Sequence, residues 1–224
     1  MCGRYSLTTP VESLVGLFNA GPLGDYRPRY NIAPSQPVAA VRRGEDGAPA
    51  WAWLKWGLIP SWAKDPAIGN RMINARAETI ADKPSFRAAF RRRRCLIPAD
   101  GFYEWQKCDG AKQPHHISAA DGATLAFAGL WEHWQDGAGT VIESCTIITT
   151  EANARLRPIH PRMPVILEPA HHEFWLQAAE TAVDMLHPLL APVPDDRLIA
   201  RPVSTHVNDP RHEDSACLEP EGLI

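Results

Sequence analysis

Twenty-one prolines punctuate this 224-residue chain, spread along its length instead of gathered into one linker. Proline lacks a backbone N–H, so it interrupts helices and is confined in sheets to edges, bulges and strand ends. A chain punctuated this way folds from short elements joined by many loops. Strand-like runs dominate its middle: Val38 to Arg42, Trp51 to Pro60, Leu125 to Glu132 and Ser144 to Thr150. Cys95 to Pro98 and Gly101 to Trp105 read as one bent strand, with His115 to Ser118 pairing back as a hairpin. Helical patterns lie nearer the ends, at Val11 to Phe18 (Thr8 or Thr9 as N-cap), Phe86 to Arg94, Ala152 to Leu156, His171 to Gln177 and Ala179 to Met185. Val203 to Val207 reads as a late short strand. The expected fold is α+β, a single domain with an antiparallel β-barrel-like core flanked by short helices. Residues 2–207 form that domain, and the polar tail 208–224 is expected to be poorly ordered.

Charge narrows the partners. Lys and Arg number 23 against 26 Asp and Glu, a formal net charge of −3. That balance argues against a broad polyanion-coating surface and leaves room for a local basic groove. Five cysteines (Cys2, Cys95, Cys108, Cys145, Cys217) show no CxxC spacing and read as reduced thiols. With no signal-peptide pattern and no apolar run approaching ~20 residues, a soluble cytoplasmic protein without a membrane partner is expected.

The chemistry begins at Met1-Cys2-Gly3-Arg4. Removal of the initiator methionine leaves Cys2 with a free α-amine beside its thiol. Reference pKa values of about 7.7–8.0 for the amine and 8.5 for the thiol bring both into nucleophilic form near neutrality. Such a 1,2-aminothiol meets an aldehyde in two steps, a Schiff base and then closure of a five-membered thiazolidine. An internal cysteine cannot do this, because its nitrogen is locked in an amide. Glu104, among Phe102, Tyr103 and Trp105, suits proton transfer if its aromatic neighbours raise its pKa. Without further support the favoured reading is an outward polar residue on an alternating strand.

Several motifs occur in order between residue 2 and about residue 167. They are Met1-Cys2-Gly3-Arg4-Tyr5, Tyr30-Asn31-Ile32-Ala33-Pro34, Trp56-Gly57-Leu58-Ile59-Pro60, Asn74-Ala75-Arg76-Ala77-Glu78-Thr79, Gly101-Phe102-Tyr103-Glu104-Trp105, Thr149-Thr150 and His160-Pro161-Arg162-Met163-Pro164. Together they resemble the signatures of the SRAP (SOS response-associated peptidase) family. The resemblance implies a sensor of abasic sites in single-stranded DNA, whose processed Cys2 traps the ring-opened sugar aldehyde as a thiazolidine crosslink. It also implies a compact antiparallel β core. It puts Glu104 in the acid–base position, gives His160 the protonation of the sugar hydroxyl, and has Asn74 hold the sugar oxygen or the α-amine. Arg4, Arg76 and Arg162 each lie within two residues of one of these positions and would converge as a phosphate-gripping ring. Thr149 joins the DNA-contacting set. Trp62, after Pro60, is a candidate stacking wedge, although Ala63 follows it where family members often carry a second aromatic. Trp51, Trp53 and Trp56 read as core.

Other readings compete. Cys2, His160 and Glu104 also suit a thiol N-terminal-nucleophile peptidase acting on other polypeptides. Self-processing of the N-terminus fits either activity. Arg91 to Arg94 point around a helix, so a solvated helix end is favoured over a phosphate patch. His115-His116 and His171-His172 are adjacent pairs that point apart, so no metal or other cofactor is expected. No clamp-binding or zinc-finger motif follows residue 167, and a stand-alone monomer is expected.

Overall fold

The computed structural model describes residues 2–108 and 110–221, with Thr181 described by its backbone alone. In chain order the elements are β1 (Tyr5–Leu7), α1 (Val11–Phe18), β2 (Arg29–Ile32), β3 (Pro37–Arg43), β4 (Pro49–Trp56), β5 (Asn74–Arg76), α2 (Arg87–Arg92), β6 (Arg94–Ala99), β7 (Gly101–Cys108), β8 (Ala111–Ala119), β9 (Leu125–Gln135), β10 (Val141–Glu151), β11 (Arg162–Pro164), α3 (Pro169–Gln177) and β12 (Leu198–Pro202). Short 3-10 turns fill several connections, including Ala77–Thr79, Thr205–Asn208 and Ser215–Leu218.

Five strands close a barrel. β3 pairs with β4 and β6, β6 with β9, β9 with β10, and β10 returns to β4. The closing pair, Ser144↔Lys55 and Cys145↔Trp56, is parallel, whereas the other four are antiparallel. A second sheet, in the order β12-β8-β7-β1-β2, is antiparallel throughout. The expected barrel-like α+β core is therefore present, with parallel closure as the departure. Its centre is apolar, with Trp56 edge-on to Tyr5 at 5.4 Å and Tyr5 edge-on to Phe127 at 6.0 Å.

The single bent strand divides in two. β6 belongs to the barrel and β7 to the second sheet, with Asp100 at the corner. The Asp100 carboxylate accepts bonds from the backbone N–H and hydroxyl of both Thr8 and Thr9, which occupies the residues expected to cap α1. Helix α1 accordingly starts after Pro10 without a side-chain cap, and buries Leu14 and Phe18. At Gly101 an added Cβ would lie 2.5 Å from the His116 ring, so only glycine permits the approach of β8.

Other local expectations shift. Trp56 is core and Trp51 is partly buried, but Trp53 is 41% exposed and its indole donates to the Gly24 carbonyl. Residues 152–156 are not helical: a turn spans 154–159, and the Asn153 side chain accepts the Leu156 N–H at 3.1 Å. The late strand falls at β12, and residues 205–208 are a 3-10 turn. The arginine run is a solvated helix end only in part: Arg91 and Arg92 are exposed in the last turn of α2, and the departure lies beyond it. Arg94 is buried, and its guanidinium donates to the carbonyls of Phe90, Arg91, Trp175 and Ala178, tying the ends of α2 and α3 together. Arg92 pairs with Glu180 and Arg93 with Glu132, both at 2.8 Å.

The tail also departs from expectation. Cys217 is buried with Tyr103, Val203 and Val207, and Val203 bridges to Pro220. Glu213 pairs with Arg29 and accepts the Asn31 N–H at 2.8 Å. Asn31 is buried in β2; its amide donates to the carbonyls of Val207, Asp209 and His212, while its oxygen accepts Arg4 at 2.9 Å. A polar composition misled because the tail is held mainly by hydrogen bonds and an ion pair to β2 of the second sheet, with Cys217 buried beside Tyr103. Residues 222–224 lie outside the described residues.

Candidate active site and nucleic-acid interface

β1 brings the amino-terminal segment to β7. Tyr5 lies opposite Phe102, and the Tyr103 N–H donates to the Arg4 carbonyl at 2.9 Å. Continuing that antiparallel register towards the N-terminus sets Gly3 across from Glu104. Cys2 is fully buried. Burial pushes its thiol pKa well above the ordinary value, and the Glu104 carboxylate raises it further. The two groups therefore lie within electrostatic reach of each other.

Glu104 is 4% exposed. Burial raises its pKa, and nearby His160 offsets part of that rise. His160 Nδ1 stands 3.8 Å from Glu104 Oε1, an ion pair when the imidazole is protonated. The same Nδ1 lies 3.1 Å from both the N–H and the carbonyl of Arg162. In the neutral ring Nδ1 accepts the Arg162 N–H, leaving the proton on Nε2; in the charged ring Nδ1–H turns to the carbonyl and Glu104. A thiol and a carboxyl of raised pKa thus lie within electrostatic reach, with an imidazole beside the carboxyl, from segments far apart in sequence.

β10 assembles the other side. Asn74 and Arg76 ride on it in parallel register (Ile147↔Asn74, Thr149↔Arg76), and β11 pairs beyond them with Glu151↔Arg162. The Asn74 amide donates to the Ile73 carbonyl at 3.0 Å. Its oxygen is buried with no hydrogen-bond partner among the described residues, a position that asks for a donor. Glu78, just past β5, takes both terminal nitrogens of Arg162, and the bonds from Arg162 hold its carboxyl below the usual range. Arg76 is exposed and lies close enough to lower it further.

The proposed ring of three guanidiniums divides in the fold. Arg76 and Arg162 share Glu78, but Arg4 is bound to Asn31 and to the carbonyls of Val207 and Asn208. Arg4 also faces the Trp105 ring at 6.0 Å. Thr149 is fully buried; its hydroxyl lies 3.5 Å from the Ala75 carbonyl, and its own carbonyl takes Arg162 at 2.6 Å. It positions Arg162 and has no surface for a nucleic acid. Trp62 is 58% exposed, beside Lys64 and Arg71 in one cleft. A second cleft is lined by Gly3, Arg4, Trp105, Lys112 and Asn208, with the Trp105 indole donating to Asn208 at 2.7 Å. The sequence did not single out Lys112, Asn208 or Glu78, which carry no signature until strands place them. Glu78 was visible only as part of a motif.

Comparison with known proteins points the same way. A protein from Bacteroides thetaiotaomicron has the same fold, with a TM-score of 0.88 over 98% of this chain and 100% of that one at 24% identity. A Bordetella bronchiseptica structure superposes with a TM-score of 0.78 at 31% identity, covering 91% of this chain and all of that one. In sequence, the chain is 45% identical to "Abasic site processing protein YoaM" of Bacillus subtilis across 99% of both chains. It is 33% identical to "Abasic site processing protein HMCES" of Rattus norvegicus, covering all of this chain and 77% of that protein. The family model described as "SOS response associated peptidase (SRAP)" matches residues 1–210, and the chain belongs to the SRAP family.

Proposed function

We propose that this protein processes abasic sites in DNA by capturing the ring-opened sugar aldehyde on its processed N-terminal Cys2. The observation that carries this reading is the placing of buried Cys2 and buried Glu104 within electrostatic reach of each other, with half-buried His160 3.8 Å from Glu104. Kinship with proteins named for abasic-site processing supplies the substrate. Removal of Met1, by self-processing in this reading, creates the α-amine. The amine adds to the aldehyde and water leaves, giving a Schiff base; the Cys2 sulfur then adds to the same carbon. The thiol proton passes to the nitrogen, so thiazolidine formation releases one water overall. Glu104 and His160 carry protons between the amine, the sugar hydroxyl and the departing oxygen. The Asn74 oxygen would accept from the α-amine or a sugar hydroxyl.

Single-stranded DNA suits the surroundings: Trp62 offers a stacking face that any base can use, and exposed Arg76 offers a phosphate contact that Arg162 would join on leaving Glu78. Arg4 contributes through the cleft that it shares with Lys112 and Trp105. The test is the intact mass before and after incubation with a single-stranded oligonucleotide bearing one abasic site. The expected outcome is loss of Met1 and an adduct of one protein plus one DNA minus one water, absent in Cys2→Ser. A retained Met1 with no adduct would overturn the reading. Peptide product exceeding the amount of protein would establish turnover and the peptidase activity instead.

A further inference from the structure

The folded tail gathers a nitrogen, an oxygen and a sulfur donor at one point. His206, Asp214 and Cys217 present ligand atoms that all lie within 4.8 Å of one another. His206 Nε2 and Asp214 Oδ2 stand 3.2 Å apart. Around tetrahedral zinc, with metal–nitrogen and metal–oxygen bonds of about 2.0–2.2 Å, two such ligands sit about 3.3–3.5 Å apart. That pair already has nearly this spacing, and the Cys217 sulfur needs to move by on the order of 1 Å, within reach of a side-chain rotation.

Each donor is held in place by its neighbours. The His212 ring stacks on His206 at 3.8 Å with 8° between planes, while its Nδ1 bonds the His206 carbonyl at 2.7 Å. His206 Nε2 hydrogen-bonds Asp214 Oδ2, and a bound ion takes the place of the proton they share. Asp214 Oδ1 accepts the Ala216 N–H at 3.0 Å, which aims Oδ2 at His206. Cys217 is buried beneath them, and Asp214 is open to solvent, giving an ion a way in. This is the support that metal ligands ordinarily have from surrounding hydrogen bonds.

We propose that His206, Asp214 and Cys217 bind a zinc ion, with water completing the tetrahedron. A mixed nitrogen, carboxylate and thiolate set matches a borderline-soft ion and does not match magnesium or calcium, which take oxygen. Binding releases the Cys217 thiol proton to solvent, and thiolate plus carboxylate balance the charge of the ion. The site clasps the turn at Thr205–Asn208 to the turn at Ser215–Leu218. Because Val207 and Asn208 hold Arg4, and Asn208 holds Trp105, the clasp braces one wall of the cleft beside Cys2. The site stands independently of the reaction at Cys2.

The experiment uses tag-free, chelator-stripped full-length protein, titrated with zinc by calorimetry and with cobalt by absorption. Wild type should bind one ion per chain, show a near-ultraviolet cobalt–thiolate band and melt at a higher temperature with zinc. Cys217→Ser should abolish the band, and His206→Phe should weaken zinc by at least about tenfold, since loss of a mere supporting group costs that much. Cys108→Ser and Cys2→Ala should keep the band. Absence of a band in wild type overturns the proposal. So does a band that survives Cys217→Ser but is lost in Cys2→Ala, since the N-terminal aminothiol would then be the ligand. If Cys217→Ser fails to fold, alkylation of wild type decides: zinc should protect Cys217 in peptide mass mapping, and equal labelling with and without zinc refutes the site.

Discussion

Glu104→Gln keeps the shape of the side chain and removes its proton chemistry. Glu104 is almost fully buried, burial raises its pKa, and the pair with His160 at 3.8 Å offsets only part of that rise. The net upward shift means that desolvation of the carboxylate outweighs its attraction to His160. The stability this group contributes is fully present below the unfolded-chain value of about 4.3 and is lost as pH rises through the higher folded-state value. At pH above that window the ionised carboxylate therefore costs stability, and glutamine should raise the melting temperature there. Its advantage should grow with pH across that window. General acid–base catalysis contributes about 10²–10⁴-fold, or roughly 2.7–5.4 kcal/mol of barrier. Crosslinking to an abasic oligonucleotide, followed as a time course on a denaturing gel, should slow by about that factor. The expected signature is opposite movement, with the rate falling and the melting temperature rising. A crosslinking rate within about threefold of wild type would refute the acid–base role. Joint loss of rate and stability would reveal a structural carboxylate instead.

Further outcomes rest on single contacts. Glu78→Gln frees Arg162 from its bidentate partner, so single-stranded DNA binding should tighten, and the log–log salt dependence should steepen by about 0.7 as one more phosphate is contacted. An unchanged slope in a fluorescence-anisotropy titration would show that Arg162 does not meet DNA. Trp62→Ala should weaken the same binding by ~1–3 kcal/mol while denaturant stability stays within ~0.5 kcal/mol, because the ring is 58% exposed. Arg94→Met should cost roughly 3–5 kcal/mol in urea unfolding, since it strands buried carbonyls at the ends of α2 and α3. Asn31→Ala should cost roughly 2–4 kcal/mol and expose the segment from residue 207 onward to proteolysis, because one amide group holds three of its carbonyls.

Local chemistry was readable without the fold. The aminothiol at Cys2 depends only on the identity of the residue next to Met1, and the barrel-like core was legible in strand-length apolar runs between prolines. Errors gathered where a residue's partner lies far along the chain. Thr8 and Thr9 looked like helix caps, yet Asp100, more than ninety residues away, takes both. Arg94 looked solvated because nothing nearby in sequence announces that α3 will present its carbonyls there. The polar tail looked disordered because its holders, Arg29 and Asn31, lie some 180 residues earlier.

The sequence by itself thus determined the longer strands of the core and the reactive groups, since covalent adjacency and periodicity are local properties. Only the tertiary structure decided which guanidiniums stay available, because hydrogen-bond partners are assigned by strand register. β10 brings Asn74, Arg76 and Arg162 to one side, and β1 delivers Cys2 to Glu104. Arg4 and Arg162 read alike as basic residues beside a catalytic position. Folding commits the first to the backbone of the tail and the second to a neighbouring carboxylate, and it is burial, a property of the whole molecule, that raises the pKa of Glu104.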